Sequence, residues 1–191
     1  MVYREKKVGE IRQIELLKKL QDTVLDREHI SVNEEFLMTR LLAEKLQDAK
    51  YKPDVIFAVC PGGAMIAEWL SRRFLGNRLA PIPVLLLNMV PHQKKESTIE
   101  MIHIGVDENW VAKPPGLSND SKVLVVNDIS RTSHTMDKAI SYVISSLQVP
   151  IQNIQTAILI CSKQLPIDAK PTYYVAMTSK HVHFDWKTYD Q

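Results

Sequence analysis

Two uninterrupted apolar runs constrain this chain more than anything else in it. They are Val55-Ile56-Phe57-Ala58-Val59-Cys60 and Val123-Leu124-Val125-Val126, and residues 154–160 read as another strand. A strand with one wet face alternates polar and apolar residues, and these do not. Such runs suit strands buried on both faces, as in a parallel sheet covered by helices. Helical patterns fall between them. Ser31-Val32-Asn33-Glu34 has capping-box spacing, and Phe36, Leu37, Leu41, Leu42 and Leu46 come next on one side until Lys52-Pro53-Asp54 breaks the pattern. Residues 64–75 predict a helix stopped at Gly76, and residues 136–147 predict another. Residues 83–87 and 173–177 read as further strands. Strand and helix alternate, which predicts an α/β fold with a doubly wound, mainly parallel sheet. Ligands of such sheets bind at the carboxyl ends of the strands.

Ile11, Ile14, Leu17 and Leu20 add an N-terminal helix over residues 10–21. We therefore expect a helical extension over residues 1–30 and one domain over residues 31–191. Residues 88–118 are mostly polar, with an alternating stretch at Ile99, Met101, Ile102 and Ile104 and a turn-rich run over 113–120. Formal net charge is only +2, with acids and bases interspersed, so general nucleic-acid binding is not expected. No apolar run approaches the ~20 residues that span a bilayer, and the N-terminus is too polar for a signal peptide. Cys60 and Cys161 each end an apolar run and read as free thiols. Together these features predict a cytoplasmic protein.

The richest segment runs from Val123 to Thr135. A buried strand delivers Asn127 and Asp128, and Ile129, Ser130, Arg131, Thr132, Ser133, His134 and Thr135 then lead into a helix start. Free N–H groups and the helix dipole favour an anion there, and the hydroxyls add donors. Asp128 is suited to sugar hydroxyls or to a hydrated Mg²⁺. Capping of an ordinary strand–loop–helix junction would use the same residue types.

This segment resembles the phosphoribosyl-pyrophosphate (PRPP) motif of type I phosphoribosyltransferases, through Asp128, Ile129, Thr132 and Thr135. The resemblance implies that the acidic site contacts ribose and that the loop holds a 5′-phosphate. Asn127 stands where the family has a first acid, Ser133 where it has Gly, and Arg131 where the purine enzymes have an Asp proposed as base. Upstream, Cys60, Pro61, Gly62 and Gly63 resemble the pyrophosphate loop of the xanthine/guanine-type enzymes, with Pro61 in place of an Arg. Near the C-terminus, Lys163 resembles the Lys that reaches an exocyclic oxygen of the base. The run His181-Val182-His183-Phe184-Asp185-Trp186 resembles the closing segment, with His181 at the stacking position and Val182 offering backbone groups. His181 and His183 have no Cys/His cluster nearby, so a metal there is not expected.

The resemblance covers residues 30–188. It implies transfer of phosphoribosyl from PRPP to a purine-type base, with Asp128 and Arg131 at the reacting centre, Mg²⁺ as cofactor held at Asp128, and a homodimer. It also implies a mobile lid over residues 88–118, including Lys94 and Lys95. The departures at Asn127, Pro61 and Arg131 leave a second expectation, a weakened domain that binds PRPP or a nucleotide monophosphate and acts as a sensor or regulatory module.

Overall fold

A computed structural model describes residues 28–76, 80–91, 97–102 and 116–185. The expected N-terminal helix, Lys94, Lys95, Trp186 and most of the expected lid lie outside the described residues. In chain order the main elements are β1 (His29–Ile30), α1 (Val32–Asp48), β2 (Val55–Cys60), α2 (Gly62–Trp69), β3 (Val84–Pro91) and β4 (Ser97–Ile102). β5 (Val123–Ser130), α3 (His134–Leu147), β6 (Ile154–Ser162), β7 (Tyr173–Thr178) and β8 (His183–Phe184) complete them.

The capping box works as its spacing predicts. Ser31 Oγ accepts from Glu34 N, and Glu34 Oε2 accepts from Ser31 N at 3.0 Å. The helix over 64–75 starts earlier, at Gly62, and finishes as a π-turn over Leu70–Phe74.

The sheet has the order β4-β3-β2-β5-β6-β7. Its five strands from β3 to β7 are parallel, and β4 is antiparallel to β3 at one edge. The antiparallel edge takes in Ile99, Met101 and Ile102 of the alternating stretch, with Ile99 opposite Met89. The apolar runs are buried on both faces as their composition requires. On one face Leu37, Leu41, Leu42 and Leu46 of α1 and Ile66 and Ala67 of α2 cover Ile56, Ala58, Leu124 and Val126. On the other, Met136, Ala139, Val143 and Leu147 of α3 cover Phe57, Val59, Val125 and Ile158. Helices on both faces make the sheet doubly wound.

Two features of the fold differ from the expectation. β1 and β8 form a separate two-stranded parallel pair, with Ile30 beside Phe184, both fully buried. The folded body thus begins before residue 31. β5 also runs four residues further than its apolar stretch. Asn127, Ile129 and Ser130 pair with Ile158, Ile160 and Cys161 of β6, so residues 127–130 are strand rather than loop. Pairing on a central strand outweighs the polar side chains' preference for a turn.

Candidate active site at the strand ends

The chain goes from β2 to β3 on one side of β2, then returns to β5 on the other. The sheet therefore has its topological switch point between β2 and β5, and the crevice at their carboxyl ends is the expected ligand site. Two loops meet there. Cys60-Pro61-Gly62-Gly63 leaves β2 through a cis Cys60–Pro61 peptide and enters α2 directly. Gly62 and Gly63 are buried. A Cβ on Gly62 would overlap the Asp128 carboxylate, and one on Gly63 would overlap the Val126 carbonyl oxygen. Only backbone fits between this loop and β5, which is the physical demand behind the two glycines.

Alternation along β5 sends Asn127 and Asp128 to opposite faces. Asp128 shares the α2 side with Leu124 and Val126 and is only 2% exposed. Its Oδ1 accepts from Ile129 N at 2.7 Å. Asn127 Oδ1 accepts from Asp128 N at 2.9 Å, and its Nδ2 donates to the Ile129 carbonyl at 3.1 Å. The amide at Asn127 thus braces the strand tip with both ends, whereas a carboxylate could only accept. Ser130 is buried and donates from Oγ to the Thr132 carbonyl at 2.9 Å, so it shapes the loop from inside.

Arg131, Thr132 and His134 are exposed, and Ser133 and Thr135 half-buried. Ser133 occupies the N-cap of α3 but makes no side-chain cap bond. The first N–H groups of that 14-residue helix remain donors for an anion, with the Thr132, Ser133 and Thr135 hydroxyls beside them.

On the other flank of β5 lie the ends of β6 and β7. Lys163 is exposed immediately after β6, tied by its backbone N–H to Thr178 O at 2.9 Å. His181 is exposed and Val182 buried. The structure brings Arg131 to both of them: Nη2 lies 2.7 Å from His181 Nε2 and 3.3 Å from the Val182 carbonyl. His181 also lies against His183, with ring centroids 4.4 Å apart. Loss of water around the ring, then the charges of Arg131 and His183, lower the His181 pKa, against a smaller upward pull from Glu28. No local pattern signals the Arg131–His181 contact, because 50 residues separate the partners.

Cys60 Sγ is half-buried and Cys161 fully buried; both are free, and burial pushes both thiols up in pKa. They are therefore poor thiolate nucleophiles. Among the described residues no group of three or more His, Cys, Asp or Glu could hold a metal, and no helix is long and apolar enough to cross a membrane.

The phosphoribosyl transferase domain model matches residues 26–190. The chain belongs to the phosphoribosyl transferase domain family. That match takes in every element of the sheet and all three loops just described. No curated protein matches the sequence. Among solved structures, the purine phosphoribosyltransferase of Pyrococcus horikoshii is 28% identical, with 85% of this chain and 95% of that one covered at a TM-score of 0.66. The Helicobacter pylori xanthine-guanine-hypoxanthine phosphoribosyltransferase has the same fold at 16% identity and a TM-score of 0.62, covering 84% and 91%. So does a Neisseria gonorrhoeae protein with bound ppGpp, at 19% identity and 0.59, covering 87% and 93%. Family and fold together support phosphoribosyl transfer as the general chemistry of this architecture.

Proposed function

We propose that the protein transfers the phosphoribosyl group of PRPP to a purine-type base and releases pyrophosphate. The observation that carries this reading is the meeting of two loops at the switch point, with the ends of β6 and β7 on the other flank of β5. A phosphate-ready loop extends from β5, a backbone-only loop from β2 on one side, and the exposed Lys163 and His181 follow β6 and β7 on the other. A phosphoribosyl group anchored through Thr132, Ser133, His134 and Thr135 would have its pyrophosphate toward Gly62 and Gly63. Its anomeric carbon would face a base held near Arg131, Lys163, His181 and Val182.

In the reaction a ring nitrogen forms the new C–N bond at the anomeric carbon. The C–O bond to pyrophosphate breaks, its electron pair leaves with pyrophosphate, and the proton of the attacking nitrogen passes to solvent. The protein's part is positioning and stabilisation of charge on an oxocarbenium-like state. Asp128 is suited to orient the ribose hydroxyls. With Asp128 as the carboxylate there and no protein cluster of metal ligands among the described residues, the donor set fits Mg²⁺ arriving on the diphosphate with its own waters. When bound, Mg²⁺ would neutralise charge on the leaving group. We include cytosolic location and a homodimer in the same proposal.

Pyrophosphate release from PRPP·Mg²⁺ with hypoxanthine, guanine or xanthine is the direct test. The wild type should turn over with at least one of them, and the near-isosteric Asp128→Asn should abolish PRPP binding in calorimetry. Unchanged affinity in that variant would remove Asp128 from the site.

A nucleotide-binding regulatory module is the second reading, favoured by Asn127, Pro61 and Arg131, each at odds with the family's usual charged role. The double variant Asn127→Asp with Pro61→Arg separates the two. Each charge-assisted contact restored is worth about 1.5–3 kcal/mol, and about 1.4 kcal/mol is tenfold in rate. A weakened enzyme should gain at least about tenfold in turnover. Tight nucleotide binding with no turnover in either protein would favour the module.

A further inference from the structure

The ring end of the crevice has a chemistry that its phosphate end lacks, and its interpretation rests on the phosphoribosyl-transfer reading. Arg131 Nη2 carries two hydrogens and has two acceptors, His181 Nε2 and the Val182 carbonyl. For Nε2 to accept, the imidazole must be neutral with its proton on Nδ1. The lowered pKa of His181 agrees. The Val182 carbonyl, the backbone acceptor of this segment nearest the guanidinium, is already engaged.

Donors are what remain. The Arg131 Nε–H and two Nη1–H groups have no partner among the described residues, and Lys163 is an exposed ammonium on the neighbouring strand end. His183 lies beside His181, and His29 stacks on His183 at 5.8 Å. Glu28 acts on His181 less strongly than Arg131 or His183 does. The corner is rich in donors and positive charge, with its nearest backbone acceptor occupied.

We infer that Arg131, clasped by His181 and Val182, determines the specificity of the site, selecting a ring edged with carbonyl oxygens or negative charge over one edged with an amine. A carbonyl edge pairs with the guanidinium fork. An exocyclic amine would set donor against donor and leave donors covered by the ring unpaired, the mismatch that polar sites reject most strongly. The neutral His181 ring is what holds the fork in position, so it is a positioning residue.

Calorimetry of the full-length chain tests this with xanthosine, inosine, guanosine and adenosine 5′-monophosphates, and with ribose 5-phosphate as a ringless reference. Wild-type affinity should fall in that order of rings, by about tenfold or more from first to last, or ~1.4 kcal/mol. Arg131 is exposed, so Arg131→Ala leaves the core intact. It should bring the four nucleotides within about threefold of one another, about 0.65 kcal/mol. His181→Phe should shrink the spread in the same direction by releasing the clasp. A loss of overall binding that preserves the ranking would mark Arg131 as structural and overturn the inference. So would a wild-type preference for adenosine monophosphate, which would make Glu28 the reader. If ribose 5-phosphate binds and the rings are not distinguished, the Arg131 assignment alone falls. If neither ribose 5-phosphate nor any nucleotide binds, the phosphoribosyl reading falls with it.

Discussion

The two ends of the sheet are built from the same strands and have opposite characters. At the amino end, neighbouring segments are stitched together by side chains. Tyr51 Oη donates to the Val123 carbonyl at 2.8 Å and lies 3.3 Å from the Asn153 carbonyl. Asp54 Oδ2 accepts from Lys122 N at 2.8 Å, and Lys122 O accepts from Asp54 N at the same distance. Burial, with the neighbouring charges of Tyr173 and Asp54, holds the Tyr51 hydroxyl above the usual tyrosine range, so it remains a donor. At the carboxyl end Asn127, Asp128 and Ser130 bond to backbone one or two residues further along the same segment. The hydroxyls and helix N–H groups beyond them are left for a ligand. One end uses its polar groups for cohesion and the other withholds them, as expected of a scaffold that presents a site on loops.

The backbone-only loop is where that division should break most visibly. Gly63→Ala drives a methyl group into the Val126 carbonyl of the central strand. Overpacking of this kind costs about 1–3 kcal/mol. The urea midpoint should drop with an unchanged slope, and ligand binding should weaken in the same variant. Gly62→Ala adds a sharper version. Its methyl would meet the Asp128 carboxylate, so the cost should shrink in an Asp128→Ala background. Additive costs would mean that the two positions do not touch.

A smaller pair of effects should separate the two ends cleanly. Tyr51→Phe strips a hydrogen bond from a buried strand carbonyl and should cost about 1–2 kcal/mol of stability with no change in nucleotide affinity. Thr135→Ala should do the reverse, about tenfold weaker binding of ribose 5-phosphate with stability within about 0.5 kcal/mol. A Tyr51→Phe protein that lost affinity would dissolve the contrast.

Acidification should produce the smallest change. The folded pKa of His181 lies below its ordinary value of 6.5, so the unfolded chain takes up the proton first. The clasp with Arg131 is present above the ordinary value and is lost as pH falls through the lower folded one. Glu28 pulls the other way, while Arg131 and His183 supply the repulsion. An NMR titration of the ring should give a midpoint under 6.5, moving up in Arg131→Ala. A midpoint at or above that value would mean that the clasp does not form in solution.

Much of the architecture is legible in the chain itself. Runs such as Val55–Cys60 have no polar positions to spare for solvent, so burial on both faces of a parallel sheet is dictated by composition. The Ser31–Glu34 box is a local contract between residues three apart and is equally readable. The candidate site is half legible. Thr132, Ser133 and Thr135 around a helix start are a local pattern. The glycine pair is local as well, although its reason, Asp128 and Val126 on another strand, is not.

What tertiary structure alone decided lies at longer range. Strand order made β2 and β5 neighbours with their ends flanking the crevice. Pairing with β6 turned Asn127 and Asp128 into strand residues on opposite faces, so that one braces the tip and the other lies under Gly62. Folding also carried Arg131 to His181 and Val182, across 50 residues of chain. Periodicity and capping act over a few residues and are written into the sequence itself. Contacts between strand ends depend on which strands become neighbours, and that is settled only when the whole sheet has buried its apolar faces.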